Sequence, residues 1–255
     1  MKRRYSSSNL SKPFTPPRKL ARTTVSVRKP MLQRTMRMTM PRTELKQVDV
    51  VNPSGGATQA VFPLNSTPSI IPVNLITTGS SAWNRIGRKV NLHSCQIQGF
   101  FQVNLTTDHD SNVPSWARIM LVYDRQPNGA TPNINDILLS QVNSATDSNV
   151  STPFSATNMN NRDRFEIIRD KRFCLGSIPL ANDGQYAVGG FENSFSVNMY
   201  VRLANRETCF KADSSPGVIG DIATGSLLFI TFGNVISAEN PFDFAGTVRV
   251  RYADV

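Results

Sequence analysis

The sequence predicts an all-β protein, and three observations lead to that class. Charged residues make up only 18% of the 255 positions, below the roughly 25% of an average globular chain. Several segments alternate apolar and polar residues with the period of two that a half-buried strand requires. The positive charge is concentrated in the first 46 positions, which lack this alternation. We therefore expect a β-structured body that follows a separate N-terminal segment.

The clearest strand pattern lies at 195–203, where every odd position is apolar and polar residues or Tyr200 occupy the even ones. Segments 97–105, 117–123 and 247–252 carry similar alternation. More continuous apolar runs indicate more deeply buried strands, and they lie at 69–77, 165–175 and 226–232. Only 133–139 resembles a helix, a short one with Asn133 or Asn135 as its cap.

Long polar connections separate these segments. No internal repeat of about 20 to 50 residues is visible, which argues against propellers and solenoids. Seven or eight strands with almost no helix fit one antiparallel eight-stranded sandwich of the jelly-roll type, spanning 47–255. The body has neither the length nor the linker for a second domain.

Residues 1–46 form a cationic arm. The arm holds 13 lysines and arginines and the single acid Glu44, a net charge of +12, whereas 15 cations and 17 acids leave the rest of the chain at −2. Five prolines interrupt the arm, and its few apolar residues follow neither a helical nor a strand period. Such a segment cannot bury enough apolar surface to offset the entropy of ordering, so we expect it to be disordered when free.

The charge pattern of the arm predicts binding to nucleic acid. Cations spaced along a flexible chain match the regular phosphates of a polyanion, and counterion release drives such binding without base readout. This interpretation explains a dozen cations better than a solubilising tail does, and no amphipathic face or lipidation motif supports a membrane partner. The predicted contacts are Lys2, Arg3, Arg4, Lys12, Arg18, Lys19, Arg22, Arg28, Lys29, Arg34, Arg37, Arg42 and Lys46. The clusters at 2–4 and 18–22 also resemble nuclear-import signals, a pattern of low specificity.

Residue patterns for catalysis or metal binding are missing from the sequence. The three cysteines have no paired spacing, so neither a disulfide framework nor a zinc finger is supported. Of the two histidines, His109 lies between two aspartates on a predicted loop, and His93 has no nucleophile motif beside it. We expect a protein that is not an enzyme and that uses no cofactor and no metal.

Four segments carry a resemblance to a known group of proteins. They are 83–90 (WNRIGRKV), 118–129 (RIMLVYDRQPNG), 165–171 (FEIIRDK) and 246–252 (GTVRVRY). In this order and spacing they resemble the capsid proteins of small circular single-stranded DNA viruses that encode a rolling-circle replication initiator, geminivirus-like and circovirus-like viruses among them. The resemblance extends over the whole chain, from the basic arm to the last strand.

The resemblance implies a jelly-roll domain that self-assembles into an icosahedral shell of about 60 copies, with the arm facing inward onto a single-stranded DNA genome. It implies a location in the virion, and in the host-cell nucleus during assembly, with a host nuclear import receptor as a further partner. Within this interpretation Arg85, Arg88 and Lys89 are candidate contacts to nucleic acid, and a solvated turn is the alternative. Trp83 could stack on a base or anchor a loop or an interface.

Three other classes remain open from the sequence. The capsid protein of a small positive-strand RNA virus would share the sandwich and the arm, because phosphate contacts alone do not distinguish ribose from deoxyribose. A cellular nucleic-acid-binding β module, such as a ribosomal protein, would also carry basic patches on its body, and the net charge of −2 counts against it. A β-sandwich hydrolase or lectin leaves the arm unexplained.

Overall fold

The computed structural model describes residues 44–50, 60–103, 115–139, 141–143, 148–176, 196–211, 218–235 and 242–255. These residues form β-strands with one short helix, α1 (Ile134–Ile137), and two 3-10 turns, Met159–Asn161 and Ile219–Asp221. The strands are β1 (Leu45–Val50), β2 (Ala60–Pro63), β3 (Ser69–Pro72), β4 (Lys89–Val103), β5 (Ser115–Asp124), β6 (Leu138–Leu139), β7 (Gln141–Asn143), β8 (Ser148–Val150), β9 (Ala156–Thr157), β10 (Phe165–Gly176), β11 (Ser196–Phe210), β12 (Ile222–Thr224), β13 (Ser226–Gly233) and β14 (Phe242–Asp254). The predicted all-β class is confirmed.

Two antiparallel sheets contain all the long strands. The six-stranded sheet has the order β1-β14-β4-β11-β12, and β2 pairs with the first part of β14. The four-stranded sheet has the order β10-β5-β13-β3. Two small hairpin-like pairs, β6 with β9 and β7 with β8, belong to the connection between β5 and β10.

The path of the chain between the sheets is that of a jelly roll. It runs from β1 in the six-stranded sheet to β3 in the four-stranded sheet, and returns to β4. The next two long strands, β5 and β10, both lie in the four-stranded sheet. The chain then alternates between the sheets, with β11 and β14 in the six-stranded sheet and β13 in the four-stranded sheet. Four strands from each sheet therefore form the eight-stranded sandwich that the sequence predicts, a closed wrapping of two Greek keys.

The core lies between the sheets because one face of each strand is apolar. In β11 the predicted alternation is confirmed: Val197, Met199, Val201 and Leu203 are buried while the residues between them are exposed. Phenylalanines at the centre pack edge-on, with the rings of Phe62 and Phe229 5.1 Å apart.

The outward side of the four-stranded sheet is covered by a second apolar cluster. Residues of β5 and β13 that point away from the main core pack against α1, whose Ile134 and Ile137 are buried. Asn133 caps this helix as predicted, with its side chain accepting a hydrogen bond from the Asn135 amide. Because both faces are covered, β13 is buried along its whole length and reads as a continuous apolar run.

The strands differ from the predicted ones mainly at their ends. Strand β4 begins at Lys89 rather than at 97, and β14 begins at Phe242 rather than at 247. The sequence does not predict β1, which contains Lys46, so the predicted boundary between arm and body cuts through a strand. The compact body begins at Thr43. The sequence predicts disorder for residues 1–46, but Leu45 and Lys46 belong to β1. Residues 1–43 lie outside the described residues, and so does the predicted loop at 108–110.

A charged cluster joins the two sheets at one edge. Arg206 of β11 donates both a close hydrogen bond and a second one of 3.3 Å to the carboxylate of Glu166 in β10. Arg125, directly after β5, donates to the same carboxylate at 3.1 Å. These hydrogen bonds, from Arg206 above all, hold the pKa of Glu166 below its usual value. The ionised carboxylate therefore stabilises the fold at neutral pH.

We predict that this contribution disappears under acid. A carboxylate whose pKa is lowered by folding stabilises the protein above its unfolded pKa of about 4.3, and the contribution is lost as the pH falls through the folded pKa. Glu166→Gln should lower the free energy of unfolding at pH 7 and flatten its dependence between pH 5 and pH 3. Urea unfolding at several pH values measures this. Asp163→Asn, which alters an exposed carboxylate, is the control, and an unchanged pH profile in Glu166→Gln would contradict the assignment.

Candidate nucleic-acid interface

Most of the predicted contacts lie in the arm and outside the described residues. They are Lys2, Arg3, Arg4, Lys12, Arg18, Lys19, Arg22, Arg28, Lys29, Arg34, Arg37 and Arg42. Four predicted contacts, Lys46, Arg85, Arg88 and Lys89, are described, and they lie at the end of the six-stranded sheet where β1 begins. The structure separates these four into two buried and two exposed residues.

Lys46 belongs to the body rather than to the predicted interface. Its side chain is only 9% exposed, because β1 pairs with β14 and turns Lys46 inward. The ammonium lies 2.7 Å from Asp254 Oδ2 and donates a hydrogen bond of 2.9 Å to the carbonyl of Asn84. A cation held in this way fixes the start of β1 and is not available to a phosphate.

Arg85 is also removed from the predicted interface, since its side chain is fully buried. Its Nε donates to the carbonyl of Ile76 at 3.0 Å and Nη1 donates to that of Gly87 at 2.6 Å. The guanidinium lies 4.0 Å over the ring of Phe210. Burial lowers the pKa of Arg85, and the charge of Asp254 opposes this shift. The burial of Arg85 fits neither of the two interpretations from the sequence, a nucleic-acid contact or a solvated turn.

The segment around Arg85 is fixed to the end of β14. The hydroxyl of Tyr252, a residue with no exposed surface, donates to the carbonyl of Trp83 at 2.8 Å. Burial raises the pKa of this hydroxyl, so it remains a donor at neutral pH. The Trp83 side chain itself is 61% exposed. Its backbone therefore anchors a loop while its ring faces solvent.

Arg88 and Lys89 are exposed and can reach a ligand. Lys89 Nζ lies 2.9 Å from Glu207 Oε1 in an ion pair whose two side chains are about half exposed. This contact raises the pKa of Lys89. A hydrogen bond from the thiol of Cys209, together with the contact to Lys89, lowers the pKa of Glu207. Arg88 and Lys89 border an open depression of about 510 Å³, with Cys209, Phe210, Ala223 and Val255. Of these two cations, Lys89 is paired with Glu207, whereas Arg88 has no ion pair among the described residues.

The structure also shows basic residues that the sequence analysis missed. Arg202, Arg249 and Arg251 lie on the solvent side of the six-stranded sheet, on β11 and β14, the two strands that flank β4. The sequence marks them as outward-pointing positions of β11 and β14, but alternation cannot show that they lie together. Their grouping depends on the register of β4 between these two strands.

The described residues hold no cluster of three or more potential metal ligands. Cys95, Cys174 and Cys209 are free thiols, and burial raises the pKa of Cys95 to about 12. No helix in the described part of the chain is long and apolar enough to cross a membrane.

The fold and the charge of the sequence define the class of protein, a jelly-roll β-sandwich that follows a strongly basic segment. A profile of the geminivirus coat protein/nuclear export factor BR1 family matches residues 2–255. The chain therefore belongs to this family, and the predicted resemblance to coat proteins of single-stranded DNA viruses is confirmed. It is a member of a viral coat-protein family, whose role is structural and whose location is the virion.

Comparison with solved structures gives only weak similarity. VP1 of Trichodysplasia spinulosa-associated polyomavirus, in complex with 6'-sialyllactose, aligns with 82% of this chain and 92% of its own at 10% identity and a TM-score of 0.25. The same VP1 with sialylated precision glycooligomers gives 10% identity, the same two coverages and a TM-score of 0.23. The search of curated proteins found no match.

We predict that Arg85 supports the fold and not the binding of nucleic acid. Arg85→Lys keeps the charge but loses the planar stack on Phe210 and part of the hydrogen bonding, so it should lower the free energy of unfolding by about 1–3 kcal/mol. Arg88→Lys, at an exposed position, is the matched control and should change stability little. Thermal unfolding and filter binding to single-stranded DNA measure the two effects. A loss of affinity in folded Arg85→Lys that exceeds that of Arg88→Lys would restore Arg85 to the interface.

Proposed function

We propose that this protein is a capsid subunit that self-assembles into a small closed icosahedral shell and packages single-stranded DNA through its basic arm. The observation that carries the proposal is the division of the chain into a jelly-roll body and a segment of net charge +12. A shell needs a rigid subunit whose contacts repeat by symmetry. A packaged genome needs charge compensation that does not depend on sequence.

The surface of the body supports a role in assembly. Leu139, Phe154 and Met159, from the connection between β5 and β10, are each at least 50% exposed, as are Ile86 and Val218. Large exposed apolar side chains are typical of surfaces that contact another protein. Strand β10, at the edge of the four-stranded sheet, pairs only with β5 among the described residues. These features give a homo-oligomer of about 60 copies several surfaces for contacts between subunits.

The charge of the arm indicates that the cargo is a polyanion but does not distinguish DNA from RNA. Membership of the coat-protein family favours DNA. The clusters at 2–4 and 18–22 support passage through the host nucleus with the help of an import receptor. The family description also includes a nuclear export factor. An export factor does not need to form a closed shell, so particle formation distinguishes the two functions.

We predict that the purified full chain forms closed, roughly spherical particles of uniform size. Light scattering after size exclusion, followed by electron microscopy, measures this. Digestion of the particles with DNase and with RNase should show that the protected nucleic acid is single-stranded DNA. A monomer that persists at high concentration across salt and pH would contradict the shell, and protected RNA would favour the capsid of a positive-strand RNA virus.

We predict further that the arm binds through counterion release. The logarithm of the affinity for single-stranded DNA should fall linearly with the logarithm of the salt concentration, with a slope of about −0.7 per phosphate contacted. Replacing Arg18, Lys19 and Arg22 by Gln should reduce the slope by about 2, equally for strands of unrelated sequence. Filter binding over a salt series measures this. A slope near zero, or a large preference among sequences of equal length, would show that bases rather than phosphates are read.

A further inference from the structure

The six-stranded sheet has one face against the core and one face on the side away from the core. We use the name outer face for eight residues on the side away from the core. Because β1, β14, β4 and β11 are neighbours, their outward residues form rows across the sheet. One row consists of Gln47, Arg251, Ser94 and Arg202, and the next consists of Asp49, Arg249, Gln96 and Tyr200. Ser94 is itself buried, and the other seven residues are exposed or partly exposed.

The outer face is positively charged although the body as a whole is not. It carries three arginines and one carboxylate. Arg249 Nε and Nη2 donate to the two oxygens of Asp49 at 2.7 and 2.8 Å, which raises the pKa of Arg249. Arg202 and Arg251 are exposed and have no ion pair among the described residues. They lie on either side of Ser94, roughly 10 Å apart across two strand spacings.

An exposed aromatic side chain lies at each end of these rows. Tyr200 is 54% exposed and lies two positions from Arg202 on β11. At the opposite edge, Trp83 is 61% exposed and lines a depression of about 320 Å³ together with Gln47 and Asp49 of β1. Aromatic rings left in solvent on a basic surface are the features that stack unpaired bases in single-strand-binding proteins.

We infer that the outer face is a second contact surface for single-stranded nucleic acid, in addition to the arm. Arg202 and Arg251 contact phosphates, and Tyr200 and Trp83 stack on bases. The amide of Gln96 lies between the arginines and Tyr200 and donates to base edges of any kind. A duplex is a poor fit because a ring can stack only on a base that is not paired and stacked already. The inference rests on the proposed function, since it assigns the same ligand to the body.

The connection between β1 and the arm adds a physical reason for this assignment. Gln47 is opposite Arg251 in the sheet, and the last cation of the arm, Arg42, precedes it by only a few residues. A nucleic acid held by the arm is therefore present at high effective concentration at the edge of the outer face. Weak contacts there suffice, because the second binding event is intramolecular.

We predict that the full chain with Arg202→Gln and Arg251→Gln keeps its melting temperature and has a salt slope reduced by about 1.4, two contacts at roughly 0.7 each. The matched control is Arg169→Gln with Lys171→Gln, which removes two exposed cations from β10 on the other sheet. The control should leave the slope nearly unchanged. An equal reduction in both variants would show a general effect of net charge and would overturn the inference.

Tyr200 provides a test that does not depend on charge. Tyr200→Ala should weaken binding of oligo(dT) about fivefold or more, and Tyr200→Phe should retain nearly full affinity because the ring still stacks. Ultraviolet cross-linking of oligo(dT) to the full chain, mapped by mass spectrometry, should label the peptide that contains Tyr200. Cross-links confined to residues 1–42 would overturn the inference.

The outcomes separate this inference from the proposed function. If Arg18→Gln, Lys19→Gln and Arg22→Gln reduce the slope but the variants of the outer face do not, the arm packages the genome alone and the inference fails. If the variants of the outer face prevent particle formation while the affinity for DNA is unchanged, the surface is a contact between subunits, and the inference fails as well. If the full chain binds no nucleic acid, the proposed function itself is wrong.

Discussion

The pairing of β14 on both of its edges is the constraint on which the rest of the body depends. One edge pairs with β4 along almost its entire length, and the other pairs first with β2 and then with β1. This pairing sets the register that places Val248, Val250 and Tyr252 in the core. The same register places Arg249 and Arg251 in solvent. The end of the strand holds the segment around Arg85 and the start of β1.

Much of the fold follows from local patterns in the sequence, because a two-sheet sandwich imposes a period of two on every strand with one wet face. The exception of β1 has a physical reason. Its inward positions include Lys46 beside Val48 and Val50, and a lysine at an inward position resembles the basic arm that precedes it. Its partner Asp254 is 208 positions away, so the sequence cannot show that this charge is compensated.

Less of the candidate interface could be predicted, for two reasons. Arg85 lies in a short basic run, and burial of a guanidinium over an aromatic ring leaves no local signal, because Phe210 is distant in the sequence. The net charge of the body also conceals how charges are arranged. Acids elsewhere in the body lower its net charge without lowering the charge of the outer face. Asp124 of β5, which is buried and paired with Arg164, is one such acid. A value of −2 is thus compatible with a basic face.

The strand order has a consequence for how quickly the body can form. The bidentate contact between Arg249 and Asp49 spans 200 positions, and the other long strands of this sheet also pair with strands far away in the chain. Folds dominated by such pairings close slowly, on the millisecond to second range, because the loop entropy is lost before the contacts form. Until β14 is in place, the apolar sides of β4 and β5 remain open to other chains. The yield of native subunits then depends on whether the sandwich closes before the chains aggregate. Low temperature and slow synthesis favour closure.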